Sequence, residues 1–388
     1  MSLEFTGAAP ESATPRAHGL DGPEQRLDAQ AHRSHDLDGS EKRPETAAPT
    51  GRREVALLED RFGRIARDLR ISLTDRCNLR CSYCMPPEGL DWLPAEETLT
   101  DDEVVRLARI GVERLGIRRI RFTGGEPLLR KGLEGIIAEC AGLRTDEGER
   151  PGLALTTNAL GLEKRAAGLA AAGLDRVNIS LDTLDAAHYA AITRRDRLAD
   201  VLAGIRAALD AGLHPVKINA VVLRGLNDAD LPDLFDYCLQ TGLELRIIEQ
   251  MPIGPSDAWS RTRIVTAEEI LGLLRTRHDL VAVDRDDPHA PADSWIVDGS
   301  TARVGVIASV SKPFCAACDR TRLTSDGQIR SCLFSTRETD LRSLLRNGSG
   351  DEEIVEAWRG AMAMKPAAHG LDADDFAVPS RTMSRIGG

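Results

Sequence analysis

The run Asp75-Arg76-Cys77-Asn78-Leu79-Arg80-Cys81-Ser82-Tyr83-Cys84 holds three cysteines spaced Cys-x3-Cys-x2-Cys, directly after an apolar stretch from Leu69 to Leu73. A disulfide uses two thiols and a structural zinc site usually takes four ligands. Three soft ligands on one short loop suit a [4Fe–4S] cluster in which one iron has no protein ligand and is open to a substrate or cosubstrate. A partial zinc site completed elsewhere, or cysteines without metal, also satisfy the spacing.

A second group follows far along the chain. Cys315-Ala316-Ala317-Cys318 is joined by Cys332, and no histidine is near in sequence, since His278 and His289 lie upstream and His369 well downstream. A zinc ribbon wants a fourth ligand close by, so two three-cysteine groups read better as two iron–sulfur clusters, each with an open iron, with structural zinc at the second as the alternative. Arg320 and Arg322 come immediately after Cys318. They are a solvated basic turn or a pair of guanidinium forks aimed at phosphates.

The elements that must position these residues begin at Val55. Short apolar strands alternate with amphipathic helical stretches, the sign of βα units and a parallel sheet. The expected strands are Leu69–Thr74, Arg119–Thr123, Leu153–Thr157, Arg176–Leu181, Val216–Val222 and Leu243–Glu249. Thr100-Asp101-Asp102-Glu103 opens one helix with a capping box. Others cover Glu163–Ala172, Leu198–Ala211, Leu231–Thr241 and Ala267–Leu274. Six repeats fall short of the eight that close a full barrel, so the expected fold is a partial, open (β/α)6 TIM-like barrel, with doubly wound α/β as the fallback. Polar residues interrupt the strands at period two: Arg119 and Arg121, Thr156 and Asn158, Asn178 and Ser180, Lys217 and Asn219. Alternate side chains share a face, so one set is expected to line a ligand-filled lumen. Beyond Ala267 the rhythm fades; Leu280–Gly299 reads as an acidic, proline-containing connection leading to a strand-like run, Ala302–Val310.

Cys77-x3-Cys81-x-Tyr83-Cys84 resembles the signature of radical S-adenosylmethionine enzymes. The resemblance implies that Cys77, Cys81 and Cys84 hold a cluster whose open iron chelates S-adenosylmethionine and reduces it to a 5′-deoxyadenosyl radical. Gly124-Gly125-Glu126-Pro127, directly after the second strand, is similar to that family's GGEP motif for the methionine amino group. Carried over by position, Gly124, Gly125, Glu126 and Ser180 would contact the methionine moiety or ribose, and Tyr83 and Met251 would flank the adenosyl part.

From about Asp68 to Gly388 the chain also resembles the GTP 3′,8-cyclase family of molybdenum cofactor biosynthesis, through Cys-x2-Cys-x-Arg-x-Arg-Leu-Thr…Cys-Leu and the terminal Gly387-Gly388. This implies a lyase that converts GTP to (8S)-3′,8-cyclo-7,8-dihydroguanosine 5′-triphosphate, the first step of molybdopterin formation. It further implies that Arg70, Arg121, Thr156, Lys217, Arg320, Thr321 and Arg322 contact GTP, and that a second [4Fe–4S] cluster on Cys315, Cys318 and Cys332 meets the guanine. The departures are a long N-terminal extension and the polar loop Thr145–Pro151. A radical enzyme that modifies a peptide beside an auxiliary cluster, or a non-catalytic zinc-ribbon or electron-transfer module, would use the same cysteines differently.

Composition sets the surroundings. Net charge is −11 over 388 residues, so nucleic acid and anionic membrane are not expected partners, and an anionic substrate needs a local cationic site. No apolar run suits a membrane span, and the N-terminus lacks a signal-peptide core. Six of eight cysteines in two groups fit metal ligation in a reducing cytoplasm, while Cys140 and Cys238 read as core. Residues 1–53 contain no Val, Ile, Trp, Tyr or Cys and read as a disordered extension. The expected division is 1–53 extension, 54–270 barrel, and 271–388 auxiliary-cluster and GTP-binding region ending in the Gly-Gly tail. Expected partners are GTP, an electron donor and the next enzyme of the pathway, for a monomer or homodimer.

Overall fold

The computed structural model describes residues 55–255, 259–371, 376 and 378–387, so the 1–53 extension and Gly388 lie outside the described residues. Strands β1 (Asp68–Ser72), β2 (Arg119–Thr123), β3 (Gly152–Thr157), β4 (Arg176–Ser180), β5 (Val216–Val222) and β6 (Glu244–Glu249) fall within two residues of the six expected. Six more follow: β7 (Leu280–Val283), β8 (Asp293–Val297), β9 (Arg303–Ile307), β10 (Arg320–Leu323), β11 (Gln328–Arg330) and β12 (Thr339–Asp340). All join one sheet in the order β12-β11-β10-β1-β2-β3-β4-β5-β6-β9-β8-β7. From β10 through β1–β6 to β9 every pairing is parallel, and the outer pairings are antiparallel. The partial six-strand barrel is therefore extended by one parallel strand on each edge.

Leu280–Gly299 differs from its reading as a connection. Its two short apolar runs, Leu280–Val283 and Ser294–Val297, pair with each other across the acidic loop. Neither alternates strongly enough to be a strand alone, and the pairing that makes them one is non-local.

Alternation decides the two faces. Leu69 and Ile71 in β1, Ile120 and Phe122 in β2, and Val177 and Ile179 in β4 are buried beneath the helices. Each such side chain contributes roughly 1.5–3 kcal/mol against exposure. The helix Asp101–Leu115 begins with the expected capping box: Thr100 Oγ1 accepts from Glu103 N at 3.2 Å, and Glu103 Oε2 accepts from Thr100 N at 2.8 Å. The helix Asp351–Ala363 lies against β11 and lays the fully buried Trp358 over the outer face of β10, where its indole N–H donates to Thr321 Oγ1 at 3.1 Å. Cys140 and Cys238 are buried in helices Leu133–Ala141 and Leu231–Thr241. Among the described residues no helix is long and apolar enough to cross a membrane.

Candidate active site

The opposite faces of the strands supply the lumen. In parallel pairing, register partners point the same way, so Arg322, Arg70 and Arg121 stand side by side on β10, β1 and β2. Arg320, Asp68 and Arg119 form the row below them. Thr156, Asn178 and Lys217 are neighbours across β3, β4 and β5.

The loop after β1 brings Cys77, Cys81 and Cys84 round one cavity with Tyr83, Thr123, Gly124, Gly125, Thr156, Asn158, Ser180 and Asp182. Gly124 and Gly125 are there for close approach. Gly125 N donates to Thr74 O and Glu126 N to Arg76 O, both at 2.7 Å, so the exit of β2 is laced to the start of the cysteine loop. A Cβ on Gly125 would fall onto the carbonyl of Arg76, and Gly124 has φ +138. Glu126 does not line the cavity. Its fully buried carboxylate forms the floor, taking Leu128 N at 2.9 Å and Thr157 Oγ1 at 2.7 Å on Oε1 and Asn158 N at 2.7 Å on Oε2. Burial pushes its carboxyl up to about 7 against those three donors. Asn158, so held, donates through Nδ2 to Asn78 Oδ1 at 2.7 Å and lies 3.8 Å from Cys77 Sγ. Tyr83 donates to Asp182 Oδ2 at 3.0 Å, and burial pushes that carboxyl up to about 6.

Cys315, Cys318 and Cys332 line a second cavity with Met251, Phe314, Arg320, Arg322, Phe334 and His369. Met251, expected beside the adenosyl group, thus stands at the second trio. His369, distant in sequence, is brought here by the C-terminal segment, with its ring 5.2 Å from that of Phe334. Burial works to raise the Cys318 thiol, yet Lys365 and Arg320 bring it below its ordinary value.

A third cavity, of about 330 Å³, opens at the strand N-termini and is strongly cationic. Arg70, Arg119, Arg121, Arg176, Lys217, Arg246, Arg285, Arg303 and Arg320 line it, nine cations against the five carboxylates of Asp68, Glu244, Asp286, Asp287 and Asp319. In a protein of net charge −11 that local excess of cations has the chemistry to hold an anion. Burial pushes Arg70 down to about 9, helped by Arg121 and Arg320, and Arg121 and Arg246 down to about 10. Burial would raise Asp68, but Arg121, Arg70, Arg320 and Arg119 hold it at about 2. An anion placed among them would relieve this mutual repulsion. Asp68 Oδ1, Arg70 Nε, Arg121 Nε, Asn178 Oδ1 and Asn219 Oδ1 are buried without a hydrogen bond at lumen-facing positions, Asp68 Oδ1 and Arg70 Nε facing each other as an ion pair at 3.9 Å. A buried amide oxygen left unpaired costs about 1–3 kcal/mol unless a ligand satisfies it.

Sequence reasoning passed over Arg176 and Arg246, although the alternation Glu244-Leu245-Arg246-Ile247 carried the signal. Thr321 is not brought to any of these cavities: it lies on the outer face of β10, fully buried against Trp358. Thr156 lines the first cysteine cavity rather than the cationic one and accepts from Asn178 Nδ2 at 3.3 Å. Gly387 reaches the lumen. Its carbonyl accepts from Arg322 Nη1, and it packs against Ser72 and Thr123 between the two cysteine cavities.

A parallel partial barrel with a three-cysteine loop after its first strand defines the class of radical S-adenosylmethionine enzymes, and the Radical SAM superfamily model matches residues 71–238. The crystal structure of Streptococcus suis SuiB bound to S-adenosylmethionine shares the fold, with TM-score 0.52 at 13% identity over 82% of this chain and 75% of that one. A Molybdenum Cofactor Synthesis C model matches residues 243–371. The GTP 3′,8-cyclase of Corynebacterium glutamicum is 61% identical over 86% of this chain and 89% of its own length. Those of Mycobacterium sp. (strain KMS) and Rhodococcus opacus are 59% and 55% identical over 85% and 89% of this chain, and 93% and 99% of theirs. The chain belongs to the GTP 3′,8-cyclase family.

Proposed function

We propose that this chain converts GTP to (8S)-3′,8-cyclo-7,8-dihydroguanosine 5′-triphosphate, with the triphosphate in the cationic cavity and the guanine at the second cysteine trio. The observation that carries the reading is Arg320, which lines both of those cavities, so one nucleotide can span them. Cys77, Cys81 and Cys84 would hold a [4Fe–4S] cluster that, with S-adenosylmethionine bound, would supply a 5′-deoxyadenosyl radical as the hydrogen-abstracting agent.

This chain's residues do the holding. Cys77, Cys81 and Cys84 would carry the first cluster, with Tyr83, Gly124, Gly125 and Ser180 round the cosubstrate. Glu126 acts from beneath by fixing Asn158 and the floor. Cys315, Cys318 and Cys332 would carry a second cluster, beside Met251. Three thiols line each of the two cavities, a ligand number that suits a polynuclear group with one metal position open. Arg70, Arg121 and Lys217 would take the phosphates, with Arg320 and Arg322 between phosphates and purine. Buried groups aimed inward on every side fix the ribose relative to the radical source and keep out stray hydrogen donors, a positioning role. Residues 54–270 would carry the radical site and part of the phosphate site, and 271–388 the second trio with the remaining substrate contacts. The partners implied are an external one-electron donor and the enzyme that consumes the cyclised nucleotide.

GTP deuterated at C3′ tests the reaction. The label is expected in the 5′-deoxyadenosine formed; its absence overturns the abstraction step. Failure of GTP to bind protein carrying both clusters would overturn the substrate assignment and favour peptide modification.

A further inference from the structure

Lys365 follows the helix Asp351–Ala363 and is 2% exposed. Its ammonium has three protons and no acceptor capacity. Nζ donates to Cys318 O at 2.9 Å and Arg320 O at 2.9 Å, and its remaining contact is Cys318 Sγ at 3.4 Å. Among the described residues its hydrogen bonds go to two carbonyls and one sulfur, and to no carboxylate. A buried ammonium without an anionic partner is strongly unfavourable. The anion that can stand opposite it is the Cys318 thiolate, the form in which cysteine ligates metal.

The first trio is built differently. Asn158, a neutral amide, donates to Cys77 Sγ at 3.8 Å, while the Arg80 guanidinium bonds the Cys77 carbonyl at 2.7 Å rather than a sulfur; no lysine or arginine lines that cavity, whereas Asp182 does. The second cavity is lined by Arg320 and Arg322 and by no carboxylate, with Lys365 against one thiol. Hydrogen bonds to ligand sulfur and nearby net charge are the levers by which a protein sets cluster potential and the electron demand of the iron.

We infer that Lys365 is a positioning residue of the second cluster: its ammonium neutralises ligand charge at Cys318, separates the reduction potential of that cluster from the first, and leaves the open iron electron-poor toward a purine donor. The two carbonyl bonds aim the third proton, so the effect is built into the fold. The inference rests on the second-cluster reading, and the experiment keeps the two apart.

The parent is the full chain carrying Cys77→Ser, Cys81→Ser and Cys84→Ser, in which iron can remain at the second site alone. About four irons per chain support the cluster; none overturns that reading before Lys365 is tested. Lys365→Met, Lys365→Gln and Lys365→Arg are then reconstituted and titrated reductively under electron paramagnetic resonance. At the parent's midpoint, Lys365→Met and Lys365→Gln should lower the reduced-to-oxidised ratio about tenfold, the size of one charge-assisted hydrogen bond. Lys365→Arg should stay near the parent. Unmoved midpoints in Met and Gln variants that hold their iron overturn the inference. If those two lose iron, retention by Lys365→Arg supports charge compensation, and loss there too overturns it in favour of packing.

Discussion

Arg322 Nη1 donates to the carbonyl of Gly387, which ties the end of the described chain to the lumen face of β10. Gly387 has φ +87, and an added Cβ would come to 3.1 Å from Ser72 Cβ and 3.2 Å from Thr123 Cγ2. The backbone therefore favours glycine, and an added Cβ would have to press its neighbours back by a few tenths of an ångström. The tail is also held upstream, where Arg381 forms two bonds to Asp326 at 3.0 and 2.8 Å and a third to Glu338 at 2.8 Å. Gly387→Val should push the carbonyl off Arg322 while those anchors keep the segment docked. The expected result is GTP affinity lower by about tenfold or more, the worth of one charge-assisted hydrogen bond and its alignment, with iron content unchanged. Calorimetric titration of reconstituted protein measures it, and wild-type affinity would refute the role.

The phosphate cavity makes a second prediction. Arg121→Ala and Arg320→Ala should each weaken GTP binding by roughly 10–100-fold, the range for a hydrogen bond to a charged group. Raising salt should weaken the wild type more steeply than either variant, because each variant lacks one screened charge. Equal salt slopes would show that these guanidinium groups do not face the triphosphate.

Much of this was legible because it is local. Strands β1–β6 each alternate within their own residues, and the turn from strand to cysteine loop needs no distant partner. The cysteines and glycines announce themselves by type and spacing. What sequence hid is non-local. Arg320-Thr321-Arg322-Leu323 carries no strand signal of its own, whether taken as a basic turn or as phosphate-directed guanidinium forks, and becomes a strand only because β1 offers parallel partners on one side and β11 on the other. That pairing turns Arg320 and Arg322 inward and leaves Thr321 beneath Trp358, which sorts three adjacent candidates onto two faces. His369 and Lys365 lie in a segment whose burial depends on docking against the second trio, so neither carries a local signal.

Gly125→Ala tests whether the Gly-Gly turn shapes the cysteine loop. The new methyl would overlap Arg76 O, backbone that is itself bonded to Glu126 N at 2.7 Å, so a side-chain rotation cannot relieve it. The loop must shift, and Cys77 is the residue after Arg76. Iron per chain should fall from about eight to about four on reconstitution, with the second cluster kept. GTP affinity should persist, since the cationic cavity lies at the other end of the strands. Full iron content in this variant would refute the steric account.

Glu126 predicts a pH dependence. Its folded value, about 7, lies above the ordinary glutamate value of 4.5 because burial disfavours the carboxylate. For a group raised on folding, the stabilising contribution is complete below the unfolded value and is lost as pH rises through the folded one. The metal-free chain should therefore lose up to about 3 kcal/mol from this residue between pH 4.5 and 8. Glu126→Gln removes the titration but, even with its oxygen kept toward Leu128 N and Thr157 Oγ1, turns an amide NH2 toward the donor Asn158 N. It should be less stable than wild type by about 1–3 kcal/mol at low pH, with the gap closing as pH rises. Urea unfolding of both proteins across that range, compared as a difference, cancels other groups such as Asp182. Parallel curves would mean that Glu126 is not the residue whose buried charge opposes folding.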